Sequence, residues 1–197
     1  MGLAVDIDEQ AHVLCALNAD QSNYIDFIGG GNLQLNYDPT NGVQVRGRYT
    51  LSEGKMKYSL PVIPLRTFNI QDGSYVEFTG DPMRPTLNIT ATEDVRTSVS
   101  NGTGEGRIVD FKCGVSLTRQ FPKPGVEFII SAPEDQEMQN TLNTKSVEER
   151  SKLAVTMLAS GMYFDGENSA SANTAMSGAL AGFLQTQVNA ITGRALN

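Results

Sequence analysis

From about residue 3 to residue 132, apolar side chains return at every second position. Val13, Cys15 and Leu17 do so; then Leu33, Leu35 and Tyr37; then Val43, Val45, Tyr49 and Leu51. The pattern continues through Met56, Tyr58 and Leu60, Phe68 and Ile70, Val76 and Phe78, and Leu87, Ile89 and Ala91. It ends with Val109, Phe111, Cys113, Val115 and Leu117, and with Val126, Phe128 and Ile130. The intervening positions are polar: Gln34 and Asn36, Arg46 and Arg48, Lys55 and Lys57, Glu77, Asp110 and Lys112. Side chains along a strand point alternately to opposite faces, so this period predicts strands with one apolar and one wet face.

The breaks between runs are short. Asp38-Pro39-Thr40-Asn41-Gly42 carries Pro and Asn-Gly turn chemistry, and Ser52-Glu53-Gly54 reads as a three-residue hairpin with Gly54 free to take positive φ. Asp72-Gly73 and Gly80-Asp81-Pro82 are further breaks, and Asn101 to Gly106 reads as a flexible loop. Connections of this length cannot hold crossover helices, so the expected arrangement is an antiparallel meander of about ten strands. One apolar face on so many strands has to be hidden. A closed sandwich or barrel would hide it in a packed core; a sheet bent into a gutter would leave an apolar trough. Gly47, between Val45 and Tyr49, is not a bulky core residue, but packed cores also hold Gly and Tyr.

After Ala132-Pro133 the character changes, so residues 1–133 read as a β-region and 134–197 as a mainly helical region. Glu134, Asp135 and Glu137 read as a solvated acidic turn. Ser146-Val147-Glu148-Glu149 is a capping box and predicts a helix to about Ser160, stopped by Gly161 and burying Leu153, Met157 and Leu158. Residues 165–175 have loop composition. A second helix is expected over about 176–192, with Leu180, Phe183, Leu184, Val188 and Ile191 on one stripe, packed on the first helix or capping the end of the sheet.

Composition bounds the chemistry. The 197 residues carry 15 Lys+Arg against 22 Asp+Glu, a net charge of −7, which argues against a nucleic-acid partner. One histidine, His12, and two cysteines, Cys15 and Cys113, exclude a metal site built on several His or Cys ligands. His12 lies off the apolar set and reads as a solvated strand residue rather than a catalytic base. Cys15 and Cys113 fall on the apolar face as buried thiols; whether they pair is open. The Gly102, Gly104 and Gly106 run has no helix after it to cradle phosphate, and Asp165, Glu167 and Asn168 lack EF-hand spacing. The chain therefore reads as a non-enzyme without cofactor. No apolar run approaches 18 residues, and Met1-Gly2-Leu3 is not the start of a signal peptide.

An ordered set of short motifs narrows the reading. Gly29-Gly30-Gly31-Asn32-Leu33 is followed by Gly47-Arg48-Tyr49-Thr50-Leu51-Ser52-Glu53-Gly54, then by Phe68-Asn69-Ile70-Gln71-Asp72-Gly73. Phe78-Thr79-Gly80-Asp81-Pro82, Pro85, Leu87, Ile89 and Ala91 come next, with Pro124-Gly125-Val126-Glu127-Phe128, Ala132-Pro133 and Met157-Leu158-Ala159-Ser160-Gly161 later. Each piece is weak, but in this order and spacing, over most of residues 3–195, the set resembles the C-terminal domain of TamB, the translocation and assembly module protein of two-membrane bacteria. The resemblance implies an AsmA-like fold: a long sheet bent into a taco-shaped groove with an apolar interior. It implies a periplasm-spanning protein with an inner-membrane anchor outside this segment. The implied work is phospholipid transport to the outer membrane or, alternatively, outer-membrane protein assembly by strand capture with a TamA-type barrel. On that reading the groove would be lined by Tyr49, Leu51, Met56, Tyr58, Leu60, Phe68, Ile70, Val76, Phe78, Leu87, Ile89, Phe111, Val115, Leu117, Phe128 and Ile130, with phospholipid acyl chains as partners. A buried CH₂ gains about 0.8 kcal/mol, so apolar lining alone would hold a chain. Exposed strand edges would invite self-association.

Overall fold

The computed structural model describes residues 2–16, 20–40, 42–60, 63–100, 106–120 and 125–163; the side chains of Cys15, Leu60, Ile63, Pro64, Ser100, Arg119 and Gln120 are outside the described set. The predicted loop at 165–175, the predicted helix at 176–192 and the glycines Gly102 and Gly104 lie outside the described residues. Among the described residues there are eight strands: β1 (Gly2–Ala16), β2 (Tyr24–Asp38), β3 (Gly42–Leu60), β4 (Ile63–Ile70), β5 (Tyr75–Gly80), β6 (Thr86–Ser100), β7 (Gly106–Gln120) and β8 (Gly125–Ser131). Two helices follow, α1 (Gln136–Thr144) and α2 (Val147–Ser160). The strands form one sheet in the order β1-β2-β3-β4-β6-β7-β8, with β5 also paired between β3 and β6. This is the antiparallel meander that the alternation predicts.

Among the described residues the strands number eight rather than about ten because runs separated by apparent turns are continuous. Ser52-Glu53-Gly54 is not a hairpin: β3 runs unbroken through it. The register with β2 shifts there, Ile28 opposing Glu53 and Gly29 opposing Leu51, so Ser52 is the extra residue of a β-bulge. Its hydroxyl donates to the Ile28 carbonyl at 3.1 Å. One inserted residue turns every later side chain over, which moves the inward set of β3 from odd positions (Val45, Tyr49, Leu51) to even ones (Met56, Tyr58). Gly54 is absent from the positive-φ residues; it is needed because a Cβ there would meet Asp26 and Phe27 of β2 and Ile70 of β4. The Asp38–Gly42 hairpin, by contrast, is as read, with Gly42 at φ +73° and the Thr40 amide bonded to Asp38 at 2.7 Å.

Strands β4 and β5 occupy one lane between β3 and β6, interrupted at residues 71–74. Gly73, at φ +83°, lets the chain loop out. Buried Ser74 fills the gap: its hydroxyl donates to the Gln71 carbonyl at 2.7 Å and accepts the Thr90 amide at 3.1 Å. A broken ladder would otherwise leave that amide without a partner.

The chain divides into two compact units. Unit 1 comprises Met1–Tyr58, Arg66–Glu93 and Gly114–Glu127; unit 2 comprises Ser59–Leu65, Asp94–Cys113 and the described residues from Phe128 on. In unit 2 the helices pack on strand residues. The Ser151 hydroxyl donates to the Phe128 carbonyl at 2.9 Å, Met157 Sδ lies 3.9 Å from Cys113 Sγ, and Tyr163 stacks on Phe111 at 5.3 Å. Cys113 is a buried thiol outside any disulfide.

Glu134 stands in an exposed turn, as expected, but the acidic residues after it belong to a helix start. Asp135 is the N-cap of α1, accepting the Met138 amide at 2.9 Å, and it is bridged by Arg107 at 2.6 Å, while Glu137 meets the same guanidinium at 3.1 Å. The sequence signal for α1 is slight, since only Met138 and Leu142 provide an apolar pair at i, i+4. The predicted helix at 146–160 is α2, with both halves of its capping box formed, Leu153, Met157 and Leu158 buried, and Gly161 closing it at φ +72°. The Ser146 amide and hydroxyl hold the Glu149 carboxyl below the usual carboxylate range. A carboxyl with a lowered folded value stabilises the fold above its unfolded value, about 4.3, and that contribution is lost as pH falls through the folded value. Loss of the N-cap acceptor in Ser146→Ala should cost about 1 kcal/mol near neutral pH in urea unfolding. The difference from the parent should shrink as pH falls through the lowered folded value, where Glu149 takes up a proton and no longer accepts from the cap.

Candidate functional site

Directly opposed residues on neighbouring strands share a face. The register therefore traces the apolar face of unit 1 across its lanes. Leu3 opposes Leu35, and Val5 opposes Leu33. Leu35 opposes Val45, and Leu33 opposes Gly47. On the far side Gly47 opposes Phe78, Val45 opposes Gly80, and Val76 opposes Leu87. Gly47, at φ +130°, contributes no side chain. Leu33 and Phe78 are thus two lanes apart, roughly 10 Å, with a notch between them. Both are half-buried, as are Leu35 and Leu87, while Leu3 is 57% exposed. This end of the face is apolar and only partly covered.

Next along the strands is a glycine crossing. A Cβ at Gly29 or Gly31 would meet the backbone of β3 at Thr50 or Arg48, and one at Gly30 would meet β1 at Ile7 and Glu9. There the β1 register shifts between Ile7 and Ala11. Tyr49 lies over the crossing. Its hydroxyl donates to the Gly29 carbonyl at 2.7 Å and reaches the Ala11 carbonyl at 3.1 Å, its ring meets Phe27 edge-on at 5.7 Å, and burial pushes its pKa up. Beyond it the face is closed: Leu51, Met56, Phe68, Ile89 and Ala91 are 0–3% exposed.

The residues that the sequence singles out as lining thus separate by environment. In unit 1, Val76, Phe78, Leu87, Tyr58 and Leu117 are half-buried, while Tyr49, Leu51, Met56, Phe68, Ile70, Ile89 and Val115 are buried. Phe111, Phe128 and Ile130 are buried in unit 2, where Phe111 stacks on Tyr163 and the Phe128 carbonyl is bound by α2. The side chain of Leu60 is outside the described set. Sequence reasoning did not select Leu33 and Leu35 as lining, although both stand in its alternation. It also did not select Val95 and Val99, which are buried on β6 in the register of Ile89 and Ala91.

Other candidates carry less. His12 is exposed and bonded to Asp26 on the wet face, beside a shallow pocket of about 500 Å³ lined by Ser52, Glu53, Lys55 and Asp72 among others. Among the described residues no group of three or more His, Cys, Asp or Glu side chains is placed to hold a metal ion, and no helix is long and apolar enough to cross a membrane. The wet face is laced by charge pairs, including Arg48–Glu77 at 3.1 Å, with Arg48 also over the Tyr75 ring, and Lys112–Asp94 at 3.0 Å.

Comparison with known proteins decides the family: the model of the TamB C-terminal domain matches residues 2–197. The chain belongs to the TamB C-terminal domain family. No curated protein matches the chain. Membership places the chain among the transport and assembly components of the cell envelope, a family that works with TamA partners. It also accounts for the order of motifs, several of which are structural devices: the glycine triplet is the backbone crossing, and Gly47-Arg48-Tyr49 supplies the notch and the ring that covers the crossing. Gly31→Ala should destabilise the TamB domain by about 1–3 kcal/mol, since the new methyl meets backbone rather than a movable side chain. Tyr49→Phe should cost about 1 kcal/mol through its hydroxyl bonds; denaturant midpoints at constant m check both.

Proposed function

We propose that the apolar face of this TamB domain holds phospholipid acyl chains and conducts them from the inner to the outer membrane across the periplasm. The observation that carries the reading is the notch between Leu33 and Phe78. Apolar side chains there are left half-covered, in a row that continues through Leu35 to Leu3. Partly exposed contiguous apolar surface on a folded sheet calls for an occupant. Two lanes of spacing fit a hydrocarbon chain, whose methylenes each gain about 0.8 kcal/mol on leaving water. No titrating group is required for such work. The charged head group would stay at the open side, and a TamA-type barrel would be the outer-membrane partner.

Position within the face decides which variant tests the reading. Phe78 is half-buried, so Phe78→Asp should leave the fold standing and abolish lipid transfer in the full-length protein. Ile89 is 3% exposed, and Ile89→Arg should unfold the domain before it reports on transport. A photo-crosslinker at position 78 should capture phospholipid in cells. Normal transfer by a folded, expressed Phe78→Asp protein would sink the reading.

One observation favours a second reading, assembly of outer-membrane proteins by strand capture. Strand β1 is an edge of the sheet, 15 residues long, with Leu3, Val13 and Leu14 exposed. An edge strand with exposed apolar side chains is a template for strand addition, and also for pairing with a second copy of the chain. Proline at Ala4 or Asp6 should then impair client assembly or self-association more than Phe78→Asp does, measured by crosslinking to β1; the reverse ranking favours the lipid reading.

A further inference from the structure

Unit 1 carries an exposed apolar tip. Four of its large apolar side chains, Leu3, Tyr37, Val43 and Met83, are 57%, 57%, 48% and 72% exposed. The register brings all four to one end of the sheet. Leu3 opposes Leu35, Tyr37 opposes Val43 across the β2–β3 turn, and Val45 opposes Gly80, where β5 gives way to the turn that holds Met83. Tyr37 and Val43 are in step with Leu35 and Val45, so the half-covered apolar face continues into them. Both turns stand in open space, since a Cβ added at Gly42 or Gly80 would meet nothing. Each turn is fixed by its own aspartate: Asp38 accepts the Thr40 amide at 2.7 Å, and Asp81 accepts the Met83 amide at 2.8 Å.

Resting on the lipid reading above, we propose that this tip docks on a zwitterionic phospholipid surface, with Tyr37, Val43 and Met83 in the head-group layer and the open end of the half-covered face against the bilayer. The choice of partner rests on continuity, size and charge. The tip is continuous with the row of Leu3, Leu35 and Leu33 that the lipid reading fills, so an acyl chain leaving the surface passes from one apolar environment to the next. The patch is too small for a stable protein partner. Four side chains offer on the order of a few hundred Å², short of the ~800 Å² per partner of a standard protein interface. Insertion into a bilayer has no such threshold, because each apolar side chain that leaves water contributes on its own. The two turns carry Asp38 and Asp81 against Arg84, a net charge of −1, and no lysine. Clusters of basic residues draw proteins to anionic lipid, and this tip has none. Tyrosine, with an apolar body and a polar end, suits the boundary between head groups and chains.

The chain contains no tryptophan, so a single one introduced by substitution reports its own surroundings. Met83→Trp in the 197-residue chain, mixed with vesicles of phosphatidylethanolamine and phosphatidylcholine, should move its emission to shorter wavelength, and bromine on the acyl chains should quench it about twofold. Leu14→Trp is the control. Position 14 is also exposed, at 65%, but opposes Asp26 on the wet face, and its emission should not move. A Tyr37→Asp/Val43→Asp double variant changes only exposed positions, so it should keep the parent's denaturation midpoint and lose vesicle co-sedimentation about tenfold. Equal responses at positions 83 and 14, or binding only to vesicles that contain anionic phosphatidylglycerol, would mean adsorption without a docking tip and overturn the proposal. A shift at position 83 that follows protein concentration and needs no vesicles would place a second copy on the tip and overturn it too. The crosslinker at position 78 scores the lipid reading separately. Lipid captured at position 78 with position 83 silent keeps the conduit and overturns the docking. A response at position 83 with nothing captured at position 78 keeps the docking and overturns the conduit.

Discussion

Everything in the sheet depends on the two-residue period being kept in phase from lane to lane. A strand that slips by one residue presents its polar set to the core, and its neighbours would have to follow. The chain holds phase through local devices rather than uniform strands. Ser52 adds one residue to β3, and the side chains that should be buried beyond it, Met56 and Tyr58, stand at even positions to match. The register shift on β1 between Ile7 and Ala11 spans an even number of extra residues, so Val5 and Ala11 stay on one face. Both irregularities flank the glycine triplet, where β1, β2 and β3 come too close for side chains and Tyr49 covers the bare backbone.

The phase-keeping has an energetic gradient. Toward the crossing and beyond it, Leu51, Met56 and Phe68 are sealed from water, and any loss of volume there is a loss of stability. Toward the Asp38–Gly42 hairpin the same face is half-covered, and residues such as Leu33 and Phe78 are not needed to close a core. The sealed core and the half-covered apolar surface thus occupy different stretches of the same strands. In unit 2 the helices take over part of the covering, latched through Arg107 to Asp135 and Glu137 and through Ser151 to the Phe128 carbonyl.

Much of this was legible because it is written in short-range chemistry. Period two gives the strands and their inward residues, Asp38-Pro39 and Gly42 give the hairpin, and Ser146 with Glu149 gives the start of α2. What was misread required long-range information. The change of parity after Leu51 is compatible with a hairpin or a bulge, and only the partner strand, where Ile28 and Gly29 oppose Glu53 and Leu51, distinguishes them. Helix α1 carries little local signal because its residues are largely polar and its cap draws on Arg107 from a distant strand. An ion pair between Arg66 and Glu93, at 2.8 Å, was visible in principle: each interrupts an apolar series in phase, at 66, 68 and 70 and at 89, 91 and 93, but nothing local says that the two meet.

The interruption between β4 and β5 has a consequence for how such a domain tolerates change in length. Asp72 and Gly73 are exposed, and a side chain added at Gly73 would meet nothing. Residues gained or lost there leave both half-strands anchored by their own partners, with the Ser74 hydroxyl closing the ladder behind them. The same change inside β6 would invert Val95 and Val99 and expose the buried face. Insertions and deletions in related chains should therefore concentrate at this seam, where length is uncoupled from orientation.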